Sequence, residues 1–128
     1  MVCSSVSKGE SAKYLVALKA YEKGFSVSFP TTESSRYDAI IDTGKKLFRV
    51  QIKYTNAKSS KNLVRLILYR PHLKAKPYLR TDIDLLLVYI PDLDKILCFN
   101  WKKFHNKKYV YVNLKDPKSK HYYAKFAW

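Results

Sequence analysis

Hydrophobic and polar positions change period several times along the chain, and each change marks an element. Between residues 8 and 24, Tyr14, Ala17, Leu18 and Tyr21 recur at helical spacing. Ser7 is placed to cap this helix, with Glu10 three residues on as its capping-box partner and Gly24 as the C′ residue. That phase puts Glu10 one turn before Tyr14, on the same face and directed at the protein body. Phe25 to Phe29 alternates as a short strand that Pro30 ends. Tyr37 to Asp42 and Leu47 to Tyr54 read as two strands of a hairpin turning at Thr43 and Gly44. In the second, Phe48, Val50, Ile52 and Tyr54 share one face and Arg49, Gln51 and Lys53 the other, about 7 Å between same-face neighbours.

The remaining pattern is mostly strands. Thr55 to Asn62 reads as a polar loop, Leu63 to Tyr69 as a strand, and Arg70 to Thr81, with Pro71 and Pro77, as an irregular basic loop. Asp84 to Ile90 is apolar enough for a buried strand, with Pro91 to Asp94 as a turn and Lys95 to Phe99 as the hairpin partner. Asn100 caps a helical turn through Phe104, and Tyr109 to Asn113 alternates as a last strand. Tyr122 to Trp128 is too aromatic for a free tail and is expected to dock on the body or on another subunit. One helix followed by strands with little helix between them predicts an α+β fold, a central mixed β-sheet with a packed N-terminal helix. The 128 residues fit a single domain spanning 1–128.

Charge changes the picture from fold to partner. The chain carries 25 Lys and Arg against 10 Asp and Glu, a formal net charge of +15. Between Thr43 and Thr81 there are eleven basic residues and no acidic one. A polyanion is the expected partner, with nucleic acid ahead of anionic lipid because the basic residues are not gathered on one amphipathic helix. The longest apolar run, Leu85 to Ile90, is far short of the roughly 20 residues a membrane helix needs. Residues 1 to 10 lack the apolar core of a signal peptide, and the two cysteines, Cys3 and Cys98, have neither metal-ligand nor redox-pair spacing. A cytoplasmic protein with no membrane association is expected.

The few carboxylates then stand out. Asp38 opening one hairpin strand, Gln51 and Lys53 on the polar face of the next and Glu10 from the helix end outline an oxygen-rich site for a hard cation. Such a cation suits phosphodiester hydrolysis, with a lysine beside it to position water or stabilise charge developing on phosphate.

Lys8-Gly9-Glu10 opening the helix, Gly24-Phe25 closing it, Arg36-Tyr37-Asp38 starting a strand and Val50-Gln51-Ile52-Lys53 on the next resemble the PD-(D/E)XK nuclease superfamily. Within it the chain looks nearest to small group I intron-associated homing endonucleases, and next to Holliday junction resolvases. The resemblance implies a restriction-endonuclease-like core and a site-specific DNA endonuclease. It implies metal ligands at Glu10, Asp38 and Gln51, and a catalytic lysine at Lys53. Mg²⁺ is the implied ion, with Mn²⁺ as a substitute and no small-molecule cofactor. Gln51 departs from the usual Asp or Glu and removes one unit of ligand charge, as it does in intron-associated relatives.

Double-stranded DNA is the expected partner, with Lys8, Lys13, Arg36, Lys58, Lys61, Arg70, Lys74, Lys76 and Arg80 as candidate contacts. A homodimer or homotetramer follows if both strands are cut, because one chain offers one active site. A structure-selective nuclease such as a junction resolvase, and a catalytically silent nucleic-acid-binding module, are the alternatives. Each residue also has a plainer reading: Glu10 as a helix cap, Asp38 as a turn residue, and Gln51 and Lys53 as a solvated strand face. Asp82 and Asp84 read as strand-opening or loop-pairing residues.

Overall fold

The structure is a computed structural model describing residues 5–32, 34–56, 58–70, 76–77 and 81–128. Helix α1 spans Ser5–Glu22 and is followed by strands β1 (Ser26–Ser28), β2 (Ala39–Asp42) and β3 (Leu47–Tyr54). Strands β4 (Lys58–Ser60), β5 (Leu63–Ile67), β6 (Tyr69–Arg70) and β7 (Lys76–Pro77) come next. The chain ends with β8 (Leu85–Ile90), β9 (Lys95–Asn100), α2 (Trp101–Phe104), β10 (Tyr109–Asn113) and a 3-10 turn at Tyr123–Phe126.

A five-stranded sheet in the order β1-β2-β3-β8-β9 forms the centre. All its pairings are antiparallel except β3 with β8, which run parallel with Gln51 beside Leu86 and Lys53 beside Val88. The mixed sheet follows from chain order. Hairpins build β1-β2-β3 and β8-β9, and β3 and β8 meet in parallel after the chain has passed through β4 and β5, which the later β10 joins in a second, antiparallel sheet, β10-β5-β4. The loop expected over Thr55 to Asn62 therefore contains a strand, β4, which pairs with β5 through an irregular register at Lys58 to Ser60.

Strand β8 is covered on both faces, which explains its unbroken Leu85-Leu86-Leu87-Val88 run. Leu87 faces α1 in a cluster with Ala12, Val16, Ala39, Ile41, Val50 and Ile52. Leu86, Val88 and Ile90 face the second sheet, packing with Val64, Leu66, Leu68, Val110, Val112, Phe99 and Trp101. Burial at these positions is essentially complete, and each Leu or Val contributes about 1.5–3 kcal/mol of transfer free energy.

Helix α1 departs from its expected orientation. Tyr14, Leu18 and Tyr21 are exposed, at 68%, 57% and 60%, while Ala12, Val16 and Ala20 are fully buried and Ala17 nearly so. The buried stripe is the small-residue one, because Ala and Val let the helix axis approach a sheet surface that is itself lined by Ala39 and Val50. The helix also starts earlier than Ser7, at Ser5, so Ser7 lies within it, its carbonyl accepting a bond from Ser11 Oγ at 2.8 Å, and is not the N-cap expected from the sequence. Its C-terminus is as expected. Gly24 has φ +81°, its N–H reaches Tyr21 O at 3.0 Å, and Phe25 N–H reaches Ala20 O at 2.9 Å, closing a Schellman motif.

Asn100 caps α2 by accepting from Lys102 N–H at 3.1 Å. The C-terminal segment docks on the body: Phe126 stacks on Phe99 at 4.7 Å between ring centroids, and Trp128 N–H donates to Ile96 O at 3.0 Å. Among the described residues no helix is long and apolar enough to cross a membrane.

Candidate active site

Asp38 immediately precedes β2, where its backbone N–H donates to Val50 O at 2.8 Å and its Oδ2 accepts from Ile52 N–H at 2.9 Å. The β2–β3 register pairs Ala39 with Val50, so continuing it by one residue sets Asp38 across from Gln51. Ala39, Ile41, Val50 and Ile52 point toward α1. Asp38, Gln51 and Lys53 therefore share the opposite face, with Gln51 and Lys53 half-buried beside Leu86 and Val88. Glu10 arrives from α1. It is exposed, it pairs with Lys13 at 3.3 Å, and with Lys13, Tyr14, Phe29 and Tyr37 it lines a cleft of about 500 Å³ whose wall includes Asp38.

Asp38 is thus the residue common to both groupings. It lines the cleft with Glu10 and shares the strand face with Gln51 and Lys53, of which Lys53 also lines a smaller pocket of about 190 Å³ closed by Leu66 and Ile67. Glu10 lies at the rim rather than on a buried apolar face, a correction that follows from the rotated phase of α1. Among the described residues, no three His, Cys, Asp or Glu side chains gather in a way that holds a metal. The candidate donor set is two carboxylates and one amide, and all three supply the hard oxygen atoms that Mg²⁺ prefers.

The electrostatics couple these groups. Burial pushes the Asp38 carboxyl above its ordinary range; the Ile52 N–H, Lys13 and Lys53 pull it back, and Glu10 pushes it further up. Burial holds Lys53 below the ordinary lysine range, with Asp38 opposing. An acid that resists ionising beside an amine that resists protonation is a destabilised pair. Each member is poised to gain from a neighbouring charge, the condition found where chemistry is done. Cys98, by contrast, is pushed up to about 11 by burial and is no thiolate nucleophile near neutrality.

Arg49, on the same strand face, is tied elsewhere. Its Nε and Nη2 donate to Asp84 at 3.2 and 3.0 Å, its backbone N–H adds a third bond at 2.8 Å, and Nη1 donates to Thr81 O. Burial alone would raise the Asp84 carboxyl, but these Arg49 bonds outweigh it and hold the group below the usual carboxylate range. Asp82 is buried and faces Arg36 at 3.6 Å. Both aspartates therefore have the loop- and strand-pairing roles expected of them.

The candidate DNA contacts divide by location. Lys13 borders the cleft, Arg36 stands beside Tyr37 and Asp38, and Lys8 lies 5.9 Å from the Tyr54 ring centre. Lys61 is exposed in the β4–β5 turn. Lys74, Arg80 and the side chains of Lys58, Arg70 and Lys76 lie outside the described residues, as does most of the 70–81 loop. Sequence reasoning missed Phe29, Thr31 and Thr32 as cleft residues; nothing in their pattern marks a strand end that folds back over α1.

A helix-backed mixed sheet with an acid at the start of β2 and an amide and a half-buried lysine on β3 matches a restriction-endonuclease-like core. The PD-(D/E)XK endonuclease family model matches residues 3–127, and the chain belongs to that family. The structure is similar to that of a bacterial homing endonuclease, I-Ssp6803I, with a TM-score of 0.79 over 98% of this chain and 89% of that one at 20% identity. It is also similar to Archaeoglobus fulgidus Hjc, a Holliday junction resolvase from an archaeal hyperthermophile. There the TM-score is 0.58 over 83% of this chain and 84% of the other at 12% identity. No curated protein matches the sequence.

Proposed function

We propose that this chain is a divalent-metal-dependent, site-specific endonuclease of the homing type that hydrolyses phosphodiester bonds in double-stranded DNA as a homo-oligomer. The observation that carries the reading is the Asp38–Lys53 pair: a carboxylate bonded to Ile52 N–H and a half-buried lysine one residue further along the same strand. Membership of the PD-(D/E)XK endonuclease family and the net charge of +15 support it.

Asp38, Glu10 and the Gln51 side-chain carbonyl would hold the cation, Mg²⁺ or in its place Mn²⁺. When bound it supplies Lewis-acid polarisation of the phosphoryl group and a more acidic water. The Asp38–Ile52 bond fixes the carboxylate against β3 and so sets where a ligand can sit. The Lys53 ammonium, held in a low-dielectric setting, stabilises charge developing on the phosphate and orients the attacking water. Lys13, paired with Glu10, draws the DNA backbone into the cleft and offsets part of the burial that raises the Asp38 carboxyl.

The test is cleavage of a randomised DNA library in Mg²⁺, with the ends sequenced. Discrete sites in linear duplex are expected, lost with Lys53→Ala while duplex binding persists. Ends centred on branched junctions would move the assignment to a resolvase. An uncut library in both Mg²⁺ and Mn²⁺ would reduce the protein to a nucleic-acid-binding module.

A further inference from the structure

The three-stranded sheet has an inner face in the core and an outer face on which Arg65, Tyr109 and Tyr111 are exposed. The β5–β10 register sets Arg65 beside Tyr111 and Ile67 beside Tyr109, all on the side opposite the buried Val64, Leu66, Val110 and Val112. Tyr109 and Tyr111 are 38% and 45% exposed, Arg65 is exposed, and its guanidinium lies 5.1 Å from the Tyr109 ring centre. The two ends of this face carry exposed lysines. Lys61 and Lys115 flank the end where Leu114 N–H bonds Asn62 O at 2.8 Å, and Lys107 and Lys108 flank the end where Leu68 N–H bonds Lys108 O at 2.9 Å. No acidic residue occurs in β5 or β10.

We propose that this outer face is a DNA-reading surface, with the β5–β10 ribbon lying in a groove of double-stranded DNA and the lysine pairs at its ends contacting the two flanking phosphate backbones. The inference rests on the DNA-endonuclease reading above and adds to it the residues that select sequence. Five strand residues span about 17 Å, wide enough to cross a major groove of about 12 Å and reach phosphates on both sides. Arg65 is suited to base edges, since a guanidinium can bond guanine O6 and N7 together, and a neighbouring aromatic ring limits its motion. The geometry also joins reading to cutting: Ile67, register partner of Tyr109, closes the pocket that Lys53 lines, so one end of the face adjoins the candidate active site. Charge complementarity favours a phosphate polymer over a protein surface here.

The experiment uses full-length protein and a random-sequence 30-base-pair duplex in EDTA, with binding read by fluorescence anisotropy across a salt series. Arg65→Glu is expected to weaken binding at least tenfold, and Lys61→Ala with Lys108→Ala to lower the slope of log K against log salt by about 1.8, two phosphate contacts' worth. The matched charge reversal Lys95→Glu, an exposed site beside the α1 groove, is expected to change affinity less than twofold. Arg65→Glu binding no worse than Lys95→Glu would overturn the proposal, as would tighter binding to a single strand of the same length than to duplex. In Mg²⁺, Tyr111→Ala and Arg65→Ala are expected to broaden the base preference at recovered cleavage sites; an unchanged preference would count against a reading role. Because these readouts concern binding and preference, they fail separately from the cleavage assignment, which stands or falls on Lys53→Ala.

Discussion

Gln51→Glu places a carboxylate where the resemblance to the PD-(D/E)XK pattern implies Asp or Glu, and its effect should reverse sign with the cation. Continuing the β2–β3 register by one residue sets Asp38 opposite residue 51 of β3, a cross-strand distance of about 5 Å between side chains. At an effective dielectric of about 20, two carboxylates at that separation repel by about 3 kcal/mol. Lys53, one same-face step of about 7 Å along the strand, returns about 2 kcal/mol of attraction. The metal-free variant should therefore lose about 1 kcal/mol of stability, with the Asp38 carboxyl pushed further up. A bound divalent cation inverts the balance, because the new carboxylate is then a ligand, and affinity for Mg²⁺ should rise at least tenfold, about 1.4 kcal/mol. Urea denaturation of wild type and variant in EDTA and in Mg²⁺ measures both effects, and calorimetric Mg²⁺ titration checks the second. An equal midpoint shift in the two conditions, or none in either, would refute a site built around Asp38 and residue 51.

The remaining predictions follow the same physics. Cleavage at sub-saturating Mg²⁺ should rise with pH as the raised Asp38 carboxyl ionises and can hold the cation, and this acid limb should move to lower pH as Mg²⁺ is increased. Cleavage should fall through a limb below the usual lysine range, as Lys53 loses its proton; Lys53→Arg, if active, should abolish that alkaline limb. Stability follows opposite signs. Between the lowered folded value of Lys53 and 10.5 the unfolded chain binds more protons, so stability rises with pH there. Between 3.8 and the raised folded value of Asp38 the folded chain binds more, so stability falls as pH rises. Arg49→Ala should cost about 1–2 kcal/mol in chemical denaturation, since it strands a partly buried Asp84, while leaving cleavage chemistry intact. Gly24→Ala, forcing φ +81° on a residue with a Cβ, should cost about 1–2 kcal/mol and lower the melting temperature.

The parts legible in the sequence were those set by short-range pattern. Alternation located β1, β3 and β10, hairpin turns located β2 and β9 beside their partners, an unbroken apolar run located β8, glycine chemistry located the end of α1, and Asn100 located the start of α2. The orientation of α1 was not legible, because size ranking favours Tyr and Leu as core residues. Only the small-residue stripe Ala12, Val16, Ala20, whose use depends on how closely a sheet approaches, carries the answer. Strand β4 was hidden in a polar Lys- and Ser-rich segment whose pairing is decided by β5. At the candidate site, the order of Glu10, Asp38, Gln51 and Lys53 was readable as a motif. The partition into a cleft holding Glu10 and Asp38 and a strand face holding Gln51 and Lys53 required the β2–β3 register. The outer ribbon of Arg65, Tyr109 and Tyr111 was invisible, since its residues meet only through β5–β10 pairing.

The central claim is that Asp38 helps hold a catalytic cation rather than merely bridging two strands, and Asp38→Asn separates these roles. The amide oxygen still accepts the Ile52 N–H, so the fold and duplex binding in EDTA should persist while the ligand charge is gone. Cleavage of a recovered target site in Mg²⁺ should fall by about 10²-fold or more. Cleavage at the wild-type rate by a folded, DNA-binding Asp38→Asn protein would contradict the account.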